Sequence, residues 1–447
     1  MTAKKTSGYL FKQIIVFFPI CLVSIQFSQA ARFNNPDSSV YYSESQIHYD
    51  NHTYKKEIRS VELFKSGFRL SDPVIQLNSS EILHLEFDDL KGNIKEYYYS
   101  FIHCNANWEP TELWANEYLE GMLEDRIANY DFSFNTRQAY THYWTSFPNE
   151  RIALKLSGNY LLKVYTRNEA GDEDLAFTRR FLVYDPKVSL EASIKRASTI
   201  EESETHQEID FMIHTNGYRI DAPYQDIQVT ILQNNRWDNA LITLKPYMVK
   251  GDLLDYSFDN GSNQFKGGNE FRHFDLKSIR YLTDKVKEIS YEEGEYHVIL
   301  WETERRTFKV YLQDDDINGR YLLKTEDEAS VETMGEYVSV HFFLPYAAPV
   351  THGNLYVAGG FNAWQYTPEN RMKYNFTRRG YEATLRLKQG YYNYLYVLLP
   401  NNASAGDESF IEGSHFETEN NYTILVYHHK RGTLYDQLIA VGSFDSK

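Results

Sequence analysis

Cysteine is scarce: the chain of 447 residues holds two, Cys21 and Cys104. Cys21 lies inside the first apolar run, so removal of that run leaves Cys104 without a partner and excludes an internal disulfide. Beyond residue 30 the chain also lacks any hydrophobic stretch of the about 20 residues that a membrane-spanning helix needs, and no membrane span is expected. Basic charge is the third deficit. Lys and Arg number 46 against 62 Asp and Glu, a formal net charge of −16. No local basic patch offsets this, so no nucleic-acid partner is expected. Catalytic signatures are lacking as well. The sequence contains no H-E-x-x-H, no C-x-x-C, no G-x-S-x-G and no glycine-rich phosphate loop. No enzyme activity, catalytic residue, cofactor or metal is expected.

What is plentiful is aromatic. Tyr (37) and Phe (27) dominate an aromatic share of 16%. These rings favour pleated sheets, where they stack across strands. With little helical periodicity, the chain reads as all-β. Its first residues read as a cleavable export signal: Lys4, Lys5 and Lys12 supply the positive region, and IIVFFPICLVSIQF (14–27) the apolar core. SQA (28–30) offers small residues for a peptidase, which places cleavage between Ala30 and Ala31. Cys21 follows Phe-Pro-Ile rather than small residues, which argues against a lipid anchor.

From Ser60 onward, short β-like runs alternate with turn residues: SVELFKSG, ILHLEFDD, EYYYSFIH, NYLLKVYT and RRFLVYD. One stretch, TELWANEYLEGML (111–123), reads as a helix with Thr111 as its N-cap. A charged, Ser-rich passage after Pro186 marks a boundary. A second series follows (EIDFMIHT, IQVTILQN, YHVILWE, RTFKVYLQD), then a third (YVSVHFFLP, NLYVAGG, YEATLRLKQG, YNYLYVLLP, YTILVYHH). The spacing suits antiparallel sandwiches. The expected layout is three immunoglobulin-like or early-set-like β-sandwich domains in tandem with few short helices. Their spans are 31–186, 187–317 and 318–447, after the signal at 1–30.

Four stretches are candidate sites. His103 and Cys104 adjoin, but neighbours on a strand face opposite ways, so a nucleophile–base pair is not expected. HYDNH places His48 and His52 four apart, a spacing that we expect to serve a metal only on a helix, and the stretch is polar and irregular. DDDINGRY carries Asp314, Asp316, Asn318 and Gly319 in the order of the first half of an EF-hand loop. Its twelfth position is Thr325 instead of Glu, so a plain Asx turn is expected. GGFNAW (359–364) resembles the opening of a glycogen-binding module, whose rings stack on sugars. The second Trp of such a platform belongs just after KQGYYNYLYVLLP, where this sequence has NNASAGDESF and no Trp. Trp364 is therefore expected to pack, and carbohydrate binding stands as the alternative function.

Taken together, several blocks resemble one family, the plug protein of the type IX secretion system. They are HCNANWEP, EYLEG, SFNT, YTHY, FPNE and SGNYLLKVY in the first domain, then NEFRHFDLKSIR and DDDINGRY. GGFNAW, KQGYYNY, EGSHFETENNY and YDQLIAVGSF complete the order. The resemblance implies a non-enzymatic periplasmic protein, peripheral to the inner face of the outer membrane. Its implied partner is the giant outer-membrane translocon barrel, whose periplasmic opening it would seal. The family supplies no catalytic residues to carry over, and no motif marks the contact residues.

Overall fold

Period-two burial builds the first sheet. In Tyr97–Cys104, reading YYYSFIHC, positions 97, 99, 101 and 103 are buried and the residues between them half-buried. Such alternation places one face of a strand in a core. The structure, a computed structural model, describes residues 1–2, 46–326 and 330–447. The export signal, Cys21 and the Ala30–Ala31 cleavage point lie outside the described residues. No described helix is long and apolar enough to cross a membrane. From Tyr41 to Lys447 the chain forms one unit.

The expected all-β class holds: strands in several sheets dominate, with four α-helices of four residues each among the described residues. In the first sandwich one sheet runs in the order His52–Thr53, Glu173–Tyr184, Gly158–Arg167, Tyr97–Cys104, Glu124–Ile127. The facing sheet runs Ile58–Lys65, Leu83–Asp89, Thr141–Phe147, Asn129–Phe132. Phe87 stacks on its cross-strand neighbour Tyr143 and meets Tyr97 and Phe177 of the facing sheet edge-on, at centroid distances of 4.9–5.3 Å. Aromatic pairs in these geometries add to the burial that holds the two sheets together.

The helix read over 111–123 contracts to Ala115–Tyr118. Leu119–Gly121 is instead a strand paired with Ile152–Leu154. Thr111 does not cap it either, because its N–H and hydroxyl both donate to the His103 carbonyl. Tertiary pairing outweighs a weak helical propensity here.

The remaining sheets do not part at 317/318. Ile227–Gln233 pairs with Asn421–His428, which pairs in turn with Gln437–Asp445. The last hairpin of the chain thus completes the core built on Ile209, Phe211, Ile213 and Val229. In the same way Arg272–Asp275 pairs with Gly390–Pro400, and Glu295–Leu300 pairs in parallel with Tyr337–Pro345. The third core therefore starts by Phe274 and is an insertion within the second. Local patterning shows that a strand exists but not which strand it will meet. A second departure concerns RTFKVYLQD, which belongs to no strand.

Two of the contacts between the sandwiches are deeply buried. Cys104, Trp108, Leu161 and Leu182 of the first pack on Leu232, Leu425, Tyr427 and Leu438 of the second. Between the first and third, Lys388 Nζ lies 2.6 Å from Asp88 Oδ2, with both side chains 1% exposed. Tyr337 donates its hydroxyl to the same carboxylate at 2.6 Å, and His142 Nδ1 meets the other oxygen at 2.7 Å.

Candidate functional site

GGFNAW and DDDINGRY, far apart in sequence, form one structure. The N–H of Gly360 donates to the carbonyl of Gly319 at 2.8 Å. Gly319 has φ +76°, and a Cβ there would lie 2.7 Å from the Trp364 ring and 2.8 Å from Phe271. Only glycine fits so tight an approach at a positive φ. The turn is held by Asn393, whose side-chain oxygen accepts the N–H of Ile317 and of Gly319.

Asp316 completes that turn. Its two carboxylate oxygens accept the backbone N–H groups of Asn318 (2.6 Å) and Phe271 (2.5 Å). Burial pushes its carboxyl up to about 6, against the pull of those two N–H groups. Asp314 turns elsewhere, 3.8 Å from His273 Nδ1. The lone pairs that an EF-hand would offer to calcium are here given to the backbone, as an Asx turn uses them.

Trp364 is partly buried against Phe271, Ala358, Leu395 and Val397. Arg236, from the second sandwich, lies over its ring at 4.0 Å. Glu408 fixes that guanidinium at 2.7 Å and Asp238 at 2.8 Å. Burial works against the Arg236 charge, but the two carboxylates outweigh it and raise its pKa. Glu408 comes from NNASAGDESF, the stretch that lacks the second Trp. A sugar platform needs a bare ring face, and here a guanidinium stacks on that face. Trp364 also lines a cleft of about 760 Å³ where the three sandwiches converge, together with Arg59, Arg179, Arg320 and Trp237.

His103 and Cys104 do point apart. His103 packs against Tyr118, Tyr160 and Tyr435, with Nε2 3.2 Å from the Ser157 carbonyl. Burial lowers its pKa to about 4. Cys104 is fully buried, and burial raises its thiol to about 12. Neither the thiolate of a nucleophile nor a base within reach of it is available.

Sequence reasoning missed two features. Residues 307–313 leave a turn at 306–309 and join no strand, with Phe308, Val310 and Leu312 exposed by 89%, 91% and 79%. The signal was the alternation itself, which marks one apolar face whether or not a sheet covers it. The other is HYDNH. The segment bends at residues 49–51, which brings His48, Asp50 and His52 together without a helix, and their ligating atoms lie within 4.8 Å of one another. The expectation that a helix would be required was mistaken. Burial and the neighbouring His48 lower the His52 pKa.

The fold and these contacts define an all-β protein of interlocked sandwich cores. The model of the type 9 secretion system plug protein 1st domain matches residues 58–185. A crystal structure of a hypothetical protein from Parabacteroides merdae ATCC 43184 superposes with TM-score 0.85 and 32% identity, covering 90% of this chain and 100% of that one. The collagen adhesin of S. aureus, at TM-score 0.10 and 8% identity, supports no structural comparison. No curated protein matches. The chain belongs to the type IX secretion system plug protein family. That family is a structural component of protein secretion.

Proposed function

We propose that this protein is a periplasmic plug that occludes the inner opening of the outer-membrane translocon barrel when no cargo is engaged. The observation that carries the reading is the family match over the first sandwich. The other two cores share their fold with the hypothetical protein from Parabacteroides merdae across nearly the whole chain. The export signal at 1–30 is consistent with it, and intact mass beginning at Ala31 is the expected result for mature protein. Steric occlusion requires a body that does not deform. The buried Lys388–Asp88 pair and the Cys104–Tyr427 contact supply cross-sandwich stiffness.

Docking needs a broad face with an apolar centre. Residues 308–312 offer exposed Phe308, Val310 and Leu312 outside any strand, an apolar patch suited to contact with the barrel's periplasmic rim. An affinity-tagged chain should recover the barrel from outer-membrane extracts, and photo-cross-linkers at 308, 310 and 312 should form adducts with it. Recovery of no secretion component defeats the proposal. Glycan binding lost in Trp364→Ala would instead restore the carbohydrate reading.

A further inference from the structure

The segment 48–54 is held through its backbone carbonyls and by the side chain of Asn51. Arg180 donates to the carbonyl of Tyr49, Thr178 to that of Asp50 and Arg179 to that of His52. The side chain of Asn51 accepts the N–H of Arg180, and His52–Thr53 pairs with Thr178 and Phe177. The chain bends at residues 49–51, which turns three of its side chains toward one another. They are those of His48, Asp50 and His52.

The three side chains converge. The two imidazoles stack at 4.3 Å between centroids, and all three ligating atoms lie within 4.8 Å of one another. Asp50 Oδ1 is buried without a hydrogen-bond partner, and its other oxygen meets Gln365 Nε2 at 3.5 Å. A buried carboxylate oxygen with no partner is costly unless something satisfies it. Two imidazoles and a carboxylate match the donor preference of zinc and its neighbours. A tetrahedral ion holds its donors about 3.3 Å apart, so small side-chain rotations close the set. The nearby Arg179 gives its N–H groups to the carbonyls of His52 and Thr178 and to the Thr53 hydroxyl.

We propose that His48, Asp50 and His52 bind one divalent transition-metal ion, zinc foremost. The ion clasps the segment that leads into the first sandwich against the turn after Trp364, through Asp50 and Gln365. The three side chains leave a fourth position for water. With the backbone already fixed, the ion orders side chains rather than folding a loop. This inference does not depend on the plug reading, since it concerns only residues of this chain.

The test uses the purified protein, stripped with EDTA and exchanged into chelator-free buffer. Titration with zinc chloride should give one ion per chain, and cobalt(II) should give visible d–d bands that zinc displaces. His48→Ala, His52→Ala and Asp50→Asn should each lose the bands and the zinc-induced rise in melting temperature. His297→Ala should keep both. That variant removes a second close imidazole pair, 3.0 Å from His341, and so controls for chance histidine binding. Asp50→Asn preserves shape, so it reads out the carboxylate even if a histidine variant misfolds. No stoichiometric binding, or bands that survive Asp50→Asn and vanish in His297→Ala, would overturn the site.

Discussion

The contact between the first and third sandwiches and the segment 307–313 are both rich in groups that could hold a partner. Their situations are opposite. At the contact, Asp88 satisfies Lys388, Tyr337 and His142 with almost no exposure. In the segment, Phe308, Val310 and Leu312 stand in solvent although RTFKVYLQD has the composition of a core strand. A polar cluster is inert when its own fold satisfies it. An apolar strand remains available when no neighbour pairs with it. Availability to a partner therefore tracks what the fold leaves unsatisfied more than it tracks residue type.

The largest expected effect breaks the closed side of this comparison. Lys388→Ala leaves Asp88 charged and buried with only His142 and Tyr337 to oppose it, which should cost about 3–5 kcal/mol. Thermal or urea unfolding of the whole chain measures it. A loss under about 1 kcal/mol would mean that the contact opens to water and does not lock the two sandwiches.

Trp364→Ala comes next, at about 3 kcal/mol, the lower end for a truncated core Trp because the ring is only partly buried. It must be made in the full chain. A fragment starting at 318 would lack the strands Arg272–Asp275 and Glu295–Leu300 that complete its core, and its final hairpin would lack Ile227–Gln233. Unchanged stability would imply that Arg236 and Phe271 do not hold the ring.

These two sites also show what the sequence could and could not convey. The all-β class was legible, since period-two burial is local and the strand Tyr97–Cys104 displays it directly. The packed fate of Trp364 was half legible: the missing second Trp ruled against a platform, but nothing local announced Arg236, 172 positions from its anchor Glu408. Strand partners are set by such long-range choices, which is why the boundary at 317 failed and RTFKVYLQD was given a sheet it does not join. HYDNH failed for another reason. Helical spacing was tested there, and a bend at 49–51, which no periodicity announces, brings the side chains together instead.

An effect of similar size but confined to acid comes from His103. Its folded pKa, lowered to about 4, lies below the unfolded value of about 6.5, so the unfolded state takes up a proton first as pH falls. Its contribution is complete above pH ~6.5 and is lost progressively as pH drops toward about 4, by roughly 3 kcal/mol in total. His103→Gln should flatten this part of the stability–pH curve. Wild-type and His103→Gln curves of the same shape between pH ~4 and ~6.5 would show that the ring stays accessible to protons in the fold.

The smallest effect on stability tests the open side. Phe308→Ser, Val310→Ser and Leu312→Ser each remove side chains that are 89%, 91% and 79% exposed, so each should change stability by no more than about 0.5 kcal/mol. The backbone should not resist either, because the segment makes no strand. Tyr311, which does pack inward and hydrogen-bonds Glu270, is left in place to keep the segment anchored. In the triple variant the melting curve should overlay that of wild type while recovery of the translocon barrel falls sharply. That split between stability and binding is what separates an open apolar edge from a core strand. A triple variant that melts several degrees lower would show the segment to be packed. One that melts normally and still recovers the barrel would move the docking face elsewhere on the protein.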